Sequence, residues 1–201
     1  GYCMDKKLYD LMDWAGIEEI VYSEAADPHK LLGPHITDDG LLISAFIPTA
    51  VMVTVRLASS GKEFPMELAD EAGFFAALIP RKNIPEYTLL AVYDNGTTEE
   101  LYDPYAFSPL YTESDLKKFE AGVHYTIYEK MGAHPMSVNG VEGVYFSVWA
   151  PCAMRVSVVG DFNLWDGRRH QMRRLGDSGI FELFIPGLAS GLIYKYEIKN
   201  S

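Results

Sequence analysis

The stretch that decides the fold is residues 144–159, which read VYFSVWAPCAMRVSVV. Strand-forming residues on both sides of its proline predict two β-strands, Val144–Trp149 and Met154–Val159, joined by a turn. The same arrangement occurs earlier in the chain, where residues 41–57 read LLISAFIPTAVMVTVRL. More short runs with frequent Gly and Pro turns follow each of these stretches, and this pattern is typical of β-sandwiches.

The two β series repeat each other. Residues 48–50 (PTA) match residues 151–153 (PCA) at an offset of 103 residues, and Tyr87 matches Tyr194 at an offset of 107. Small loop insertions make the offset drift in this way when a whole domain has been duplicated, whereas solenoids repeat over much shorter periods. The sequence therefore predicts an all-β protein with two tandem immunoglobulin-like β-sandwiches.

Two helical segments accompany the sandwiches in this prediction. Apolar residues at helical spacing indicate a helix over residues 5–20, and Thr112 and Asp115 stand at the spacing of a capping box that begins a second helix. The second β series stops after Ile193–Lys199, so we expect the second sandwich to lack its C-terminal strand. The predicted segments are an N-terminal helical segment (1–25), a first sandwich (26–110), a linker helix (111–123) and an incomplete second sandwich (124–201).

Composition limits the partners of this chain of 201 residues. It carries 17 Lys and Arg against 28 Asp and Glu, a net charge of −11, which disfavours nucleic-acid binding. The apolar run at residues 41–57 contains polar residues and a proline, so two strands explain it better than a membrane helix. The two cysteines form no disulfide framework and fit a reducing compartment. We therefore expect a cytoplasmic protein that binds no membrane.

The densest candidate site is the loop at residues 160–167, GDFNLWDG, which directly follows a predicted strand. Polar neighbours favour an exposed Trp165, whose flat indole could receive the apolar face of a sugar, a peptide or a base. Alternation places Lys195 on the strand face opposite Tyr194, where its ammonium could donate to sugar hydroxyls. Considered alone, each residue also fits a structural interpretation, a corner tryptophan and a solvated lysine. Trp149 lies within an alternating strand, so we expect it in the core.

Other chemistry is weakly indicated. A basic cluster, Arg168, Arg169, Arg173 and Arg174, could hold phosphates beside a stacked base, but nearby aspartates favour a solvated hairpin. Hydrolase, P-loop and dinucleotide motifs are absent from the sequence, and its five histidines lack metal-ligand spacing. A glycosidase pair of carboxylates is disfavoured because small sandwiches seldom bury one in a cleft. We predict no catalytic residue, no cofactor and no metal site in this chain.

Several motifs, taken together, resemble the N-terminal region of a bacterial-type 1,4-α-glucan (glycogen) branching enzyme. Their order and spacing make the resemblance specific, and it covers nearly the whole chain after residue 26. The matching stretches are DPHKLLGPH (27–35), YDPYAF (102–107), HY (124–125), YEKMGAH (128–134), VWAP (148–151), VSVVGDFN (156–163) and FELFIPGL (181–188).

The resemblance implies a carbohydrate-binding role. In that family two β-sandwich modules precede a (β/α)₈ catalytic barrel, and the second module resembles carbohydrate-binding module family 48, which holds α-glucan on a tryptophan and a lysine. The matching positions here are Trp165 and Lys195. The implied partners are an α-glucan polymer (glycogen or starch) and the catalytic barrel, whose residues would lie beyond Ser201. A spacer that only packs on the barrel and the N-terminal module of a debranching enzyme remain alternatives.

The sequence departs from the family pattern at several positions. Cys152 stands where the family usually has Asn, and Leu164 replaces the more usual Gly or Asn before the tryptophan. The first copy has no G-x-F-N-x-W loop, because residues 58–62 (ASSGK) follow the strand directly, and Thr88 replaces the lysine. We therefore expect the first sandwich to lack a sugar platform.

Overall fold

The computed structural model describes residues 4–122 and 127–200, without the side chains of residues 127 and 128. The predicted motif residues His124 and Tyr125 lie outside this part of the chain. Within it, no helix is long and apolar enough to cross a membrane.

The chain divides into two compact units. The first unit contains the residues up to Tyr22 and His29–Ala106, and the second contains Ser23–Pro28 and the residues from Phe107 onward. The segment Ser23–Pro28 therefore packs with the second unit, although it precedes most of the first in sequence. The domain boundaries given above stay a prediction.

The first unit is a sandwich of two antiparallel sheets. Its strands are β1 (Gly33–Thr37), β2 (Gly40–Phe46), β3 (Ala50–Leu57), β4 (Glu63–Pro65), β5 (Glu67–Asp70), β6 (Phe74–Ile79), β7 (Tyr87–Tyr93) and β8 (Thr98–Leu101). One sheet has the order β1-β2-β6-β5 and the other β4-β3-β7-β8. Alternating apolar side chains of both sheets, such as Ile43, Val55 and Phe75, are buried in one shared core.

Two helices precede the first sandwich, α1 (Lys6–Asp10) and α2 (Trp14–Val21). The prediction of one continuous helix over residues 5–20 is therefore wrong. Asp13 explains the break, because its backbone is non-helical (φ −92°, ψ 89°) and its side chain accepts a hydrogen bond from the Gly16 N–H at 3.0 Å. An N-cap residue of this kind begins a new helix and interrupts the preceding one.

The second unit repeats the sandwich. It contains α3 (Glu113–Glu120), β9 (Gly132–Val138), β10 (Val141–Trp149), β11 (Ala153–Gly160), β12 (Arg173–Arg174), β13 (Ile180–Pro186) and β14 (Tyr194–Asn200). One sheet has the order β12-β13-β10-β9, and β11 pairs with β14 in the other. The predicted capping box begins α3: the Asp115 N–H donates to Thr112 Oγ1 at 3.0 Å, and the Thr112 N–H donates to Asp115 Oδ2 at 2.9 Å.

The strand pairings confirm the prediction of two antiparallel β-sandwiches. The central pairs β2–β6 and β3–β7 of the first unit correspond in order to β10–β13 and β11–β14 of the second. In the first unit β8 also pairs with β7, whereas β14 pairs with β11 alone among the described residues. The absence of a final strand in the second sandwich stays a prediction.

The sequence analysis missed two strands, β1 and β9, which are equivalent edge strands. Each contains a proline, Pro34 or Pro135, and proline within a run argues against a central strand but is tolerated at an edge. Each also carries a histidine whose Nε2 contacts the carbonyl three residues earlier: His35 with Leu32 at 3.2 Å, and His134 with Met131 at 2.6 Å. The duplication therefore extends to strands that hydrophobic patterning did not reveal.

A buried carboxyl makes the stability of the first unit depend on pH. Asp103 accepts hydrogen bonds from the Tyr87 hydroxyl at 2.6 Å and from the Tyr105 N–H at 3.0 Å. Burial raises the pKa of Asp103 from 3.8 to about 6, although these bonds oppose the shift. Between these two pH values the unfolded chain releases a proton that the folded chain keeps, so the free energy of unfolding falls as pH rises.

We predict that Asp103→Asn removes this dependence. Between pH 4 and pH 6 the wild type should lose about 2 kcal/mol relative to the variant, because one pKa unit corresponds to about 1.4 kcal/mol and most of the shift is titrated in this range. Urea unfolding of both proteins across this range measures the difference. A difference between wild type and variant that stays constant with pH would contradict the buried, protonated carboxyl.

Candidate functional site

The loop after β11 is anchored by the side chain of Asn163, which is 2% exposed. Its Oδ1 accepts a hydrogen bond from the Gly160 N–H at 3.0 Å, and its Nδ2 donates to the Val158 carbonyl at 2.8 Å. The same Nδ2 lies 2.9 Å from Nδ1 of His170. Backbone groups lose their strand partners where β11 turns into the loop. The Asn163 amide supplies hydrogen bonds to these groups instead.

His170 is buried beneath the loop and is neutral there. Burial and the charge of Arg169 lower its pKa from 6.5 to about 3, although Asp166 opposes the shift. Because a neutral imidazole can accept at Nδ1, the Asn163 amide donates to it. The Phe162 ring approaches the imidazole edge-on, with 5.5 Å between ring centroids.

The loop reverses direction through two consecutive left-handed residues, Leu164 (φ 56°) and Trp165 (φ 58°). The Trp165 N–H donates to the Gly160 carbonyl at 2.9 Å, and the Leu164 N–H donates to the Asp161 carbonyl at 3.3 Å. A left-handed backbone costs a non-glycine residue about 1–2 kcal/mol. The Asn163 hydrogen bonds offset this cost and hold both residues at the surface.

The indole of Trp165 is held in place and half open to solvent. Its Nε1–H donates to Asp161 Oδ1 at 2.9 Å, and the residue is 41% exposed. Exposure alone does not distinguish it, because Trp14 and Trp149 are 42% and 53% exposed. What distinguishes Trp165 is the carboxylate of Asp161, which lies in the same tight loop and orients the ring.

The prediction that Trp149 belongs to the core is wrong. Trp149 ends β10 on the same sheet face as Ser147, which hydrogen-bonds Tyr111 of the linker at 2.8 Å. The linker covers this outer face only in part. The Trp149 N–H donates to the Ser178 carbonyl at 3.2 Å, and its ring meets Phe119 edge-on at 6.1 Å.

Lys195 projects from β14 on the same sheet face as the loop. In the antiparallel register Lys195 lies opposite Val159, the residue before the loop. Glu197, two positions on, shares the face of Lys195, and its carboxylate contacts Gly167, where the loop ends. Lys195 is exposed, as the sequence analysis expected of this face. The structure thus places Lys195 opposite the start of the loop that carries Trp165, on the sheet face that the end of this loop contacts. That the two residues form one site stays a prediction.

The sequence analysis missed the residues that support this surface. Buried Arg155 donates from Nη2 to Glu197 at 3.0 Å, from Nη1 to Ser157 Oγ at 3.0 Å and from Nε to the Ser23 carbonyl at 2.9 Å. Ser157 in turn donates to the Gly167 carbonyl at 2.6 Å. The sequence signal for this network was an arginine inside an alternating strand, because a buried charged side chain needs a charged or polar partner.

Two of the four arginines in the basic cluster form ion pairs with carboxylates. Arg168 pairs with Asp166 at 2.8 Å, and Arg173 pairs with the buried Glu182. The interpretation of this cluster as a solvated hairpin stays a prediction, and the Arg173–Glu182 pair is largely buried. In the described ranges, no three His, Cys, Asp or Glu side chains come together as metal ligands would.

The fold and the loop define a class, that of tandem β-sandwich modules of carbohydrate-active enzymes, and the comparisons with known proteins agree. Residues 13–105 match the family described as alpha-1,4-glucan branching enzyme GlgB, N-terminal domain. Residues 130–201 match carbohydrate-binding module 48, also described as the isoamylase N-terminal domain.

Individual relatives carry the same name. The 1,4-alpha-glucan branching enzyme GlgB of Thermosynechococcus vestitus is 49% identical over an alignment of 189 residues, which covers 92% of this chain and 24% of the relative. That of a Nostoc species is 46% identical over 190 residues, with the same two shares. The chain belongs to the GlgB branching-enzyme family, as its N-terminal region, and spans about a quarter of the length of these relatives.

Solved structures give a weaker likeness. A pullulanase from Paenibacillus barengoltzii, complexed with maltotetraose, aligns with 67% of this chain and 20% of its own. The identity is 20% and the TM-score 0.35.

We predict that Asn163→Ala disrupts the loop. Its loss leaves the buried Gly160 N–H and Val158 carbonyl without their partner, so the free energy of unfolding should fall by about 2–4 kcal/mol. Denaturant unfolding measures this change. The control is Asn83→Ala, at an exposed position where the side chain accepts a hydrogen bond from Arg81 Nε at 3.3 Å; its free energy of unfolding should stay within about 0.5 kcal/mol of the wild type. Equal effects of the two variants would contradict the anchoring role.

We predict that His170→Asn makes the second unit less sensitive to acid. The wild-type imidazole takes up a proton near pH 6.5 when unfolded but only near pH 3 when folded, so its stability falls as pH drops below 6.5. At pH 5 this loss should reach about 2 kcal/mol. Asparagine keeps an acceptor near the position of Nδ1 without titrating. If both proteins lost stability equally between pH 7 and pH 5, His170 would not be the responsible group.

Proposed function

We propose that the second unit binds α-glucan chains across Trp165 and Lys195. The observation that carries this proposal is the arrangement of the loop: Asp161 orients a half-exposed indole within it, and exposed Lys195 lies opposite Val159, the residue that precedes the loop. The match of residues 130–201 to carbohydrate-binding module 48 supports the same assignment.

The chemistry of the two groups suits a glucose polymer. An indole offers a flat apolar surface on which the C–H face of a pyranose ring can stack. An ammonium group has three donors and can reach sugar hydroxyls from a flexible stem. Because the Trp165 Nε1–H is already bonded to Asp161, the ring contributes its face rather than its donor to the sugar.

One such contact is weak by itself. A stacked ring and a few hydrogen bonds give about 4–6 kcal/mol, which corresponds to a dissociation constant of roughly 0.1–1 mM. Tethering to an enzyme raises the effective concentration of polymer at the catalytic centre. The proposed role of this region is therefore to retain and position glycogen or starch, and the chain contributes no catalytic residue.

The branching reaction is a proposal about the whole protein rather than about this region. The GlgB relatives are named branching enzymes, so we propose that the whole protein transfers α-1,4-linked segments to form α-1,6 branches in the cytoplasm. A retaining double displacement by two carboxyl groups would carry out this chemistry. The catalytic barrel of the same protein would then be the second partner of this region.

We predict that Trp165→Ala abolishes retardation of the chain in native gels containing glycogen, and that Lys195→Met weakens it. Loss of the stacking surface removes most of a weak binding energy, whereas loss of the ammonium removes only hydrogen bonds. Trp14→Ala is the matched control, because Trp14 is equally exposed but belongs to the first unit.

Two outcomes would overturn this proposal. Retardation that persists in Trp165→Ala would refute the assigned site. An absence of retardation in the wild type, with loss of branching when the segment is deleted from the full-length enzyme, would support a spacer instead.

A further inference from the structure

We infer that Leu164 is a second apolar contact for the α-glucan chain, beside the Trp165 indole, and that it extends the site from one glucose unit to its neighbour. This inference rests on the proposed function of Trp165 and Lys195. It assigns a binding role to a side chain that contributes nothing visible to the folded structure.

The first observation is exposure. Leu164 is 87% exposed, more than any other large apolar side chain in the described part of the chain, and Ile193 follows at 74%. Both flank the proposed site. Leu164 directly precedes Trp165, and the Ile193 carbonyl lies against Gly160, where the loop begins. The most exposed of these side chains, Leu164, therefore lies next to Trp165 in the chain.

The second observation is the backbone of Leu164, which is left-handed (φ 56°, ψ 30°). Glycine and asparagine adopt this conformation at lower cost than leucine. The unfavourable backbone is not offset by packing, because a side chain exposed to this degree buries little surface. Leucine thus makes this loop less stable than glycine or asparagine would at the same position, and its side chain buries little surface in return.

A cost of this kind is expected at a ligand-binding position, where strain persists because the side chain serves the ligand. Consecutive Cα atoms lie about 3.8 Å apart, so the side chains of Leu164 and Trp165 leave the same tight turn. One indole covers a single pyranose face, and an adjoining isobutyl group reaches the next ring of a polymer. The occupant that fits is therefore an α-1,4-linked chain.

The test compares two substitutions of Leu164, which separate the cost of the left-handed backbone from the apolar contact with the glucan. Leu164→Asn relieves the backbone and removes the apolar group, so we expect the melting temperature to rise by about 2–4 °C. Leu164→Ala keeps the backbone cost and also removes the apolar group, so its melting temperature should not rise. Both should weaken maltoheptaose binding about three- to tenfold, the loss expected for partial burial of a leucine side chain.

The measurements are calorimetric titration with maltoheptaose and thermal unfolding of the 201-residue chain. Ile84→Asn, at an exposed apolar position of the first unit, is the control for a general loss of surface hydrophobicity and should leave binding unchanged. Trp165→Ala is measured in parallel.

The outcomes distinguish this inference from the proposal beneath it. If Trp165→Ala abolishes binding while both Leu164 variants bind like the wild type, the Leu164 contact is wrong and the proposed site stands. A lower melting temperature for Leu164→Asn would also contradict the inference, since it would show that the leucine stabilises the fold. If Trp165→Ala binds normally, the proposed function itself fails.

Discussion

The proposed binding surface depends on the hydrogen bonds of one buried amide. Asn163 joins the end of β11 to the imidazole of His170, and its hydrogen bonds stabilise the loop in which Leu164 and Trp165 both adopt a left-handed backbone. The energies are comparable: two strained residues cost about 2–4 kcal/mol, and satisfied buried hydrogen bonds are worth a similar amount. The presentation of the indole is therefore a property of the loop and not of the tryptophan alone.

The two sandwiches show how one fold carries or lacks such a surface. In the second unit, the connection after β11 is long and folds back over the sheet face that contains Lys195. In the first unit, the connection after β3 is short, and the equivalent face carries ion pairs of Arg56 with Glu63 at 2.9 Å and with Glu100 at 3.4 Å. The expectation that the first sandwich lacks a sugar platform stays a prediction, and this charged face supports it.

Local patterns predicted the fold better than they predicted the site. Alternation and turn residues located β2 and β10, and the repeat between them indicated the duplication. The edge strands β1 and β9 were not predicted because each contains a proline, Pro34 or Pro135, and proline is also typical of loops. Trp149 was placed in the core because alternation reports which residues share a face, but not how completely another segment covers that face. The sequence did not indicate the anchoring role of Asn163, since asparagine is common in turns and the partners of a buried amide depend on tertiary contacts.

The three tryptophans allow a direct test of the central claim. In a ¹⁵N-labelled sample each indole N–H gives its own resonance, and single substitutions assign them. The account predicts that maltoheptaose shifts the Trp165 resonance and leaves those of Trp14 and Trp149 in place, although all three rings are similarly exposed. A saturable shift of Trp14 or Trp149 with no change at Trp165 would show that glucan binds elsewhere on the molecule.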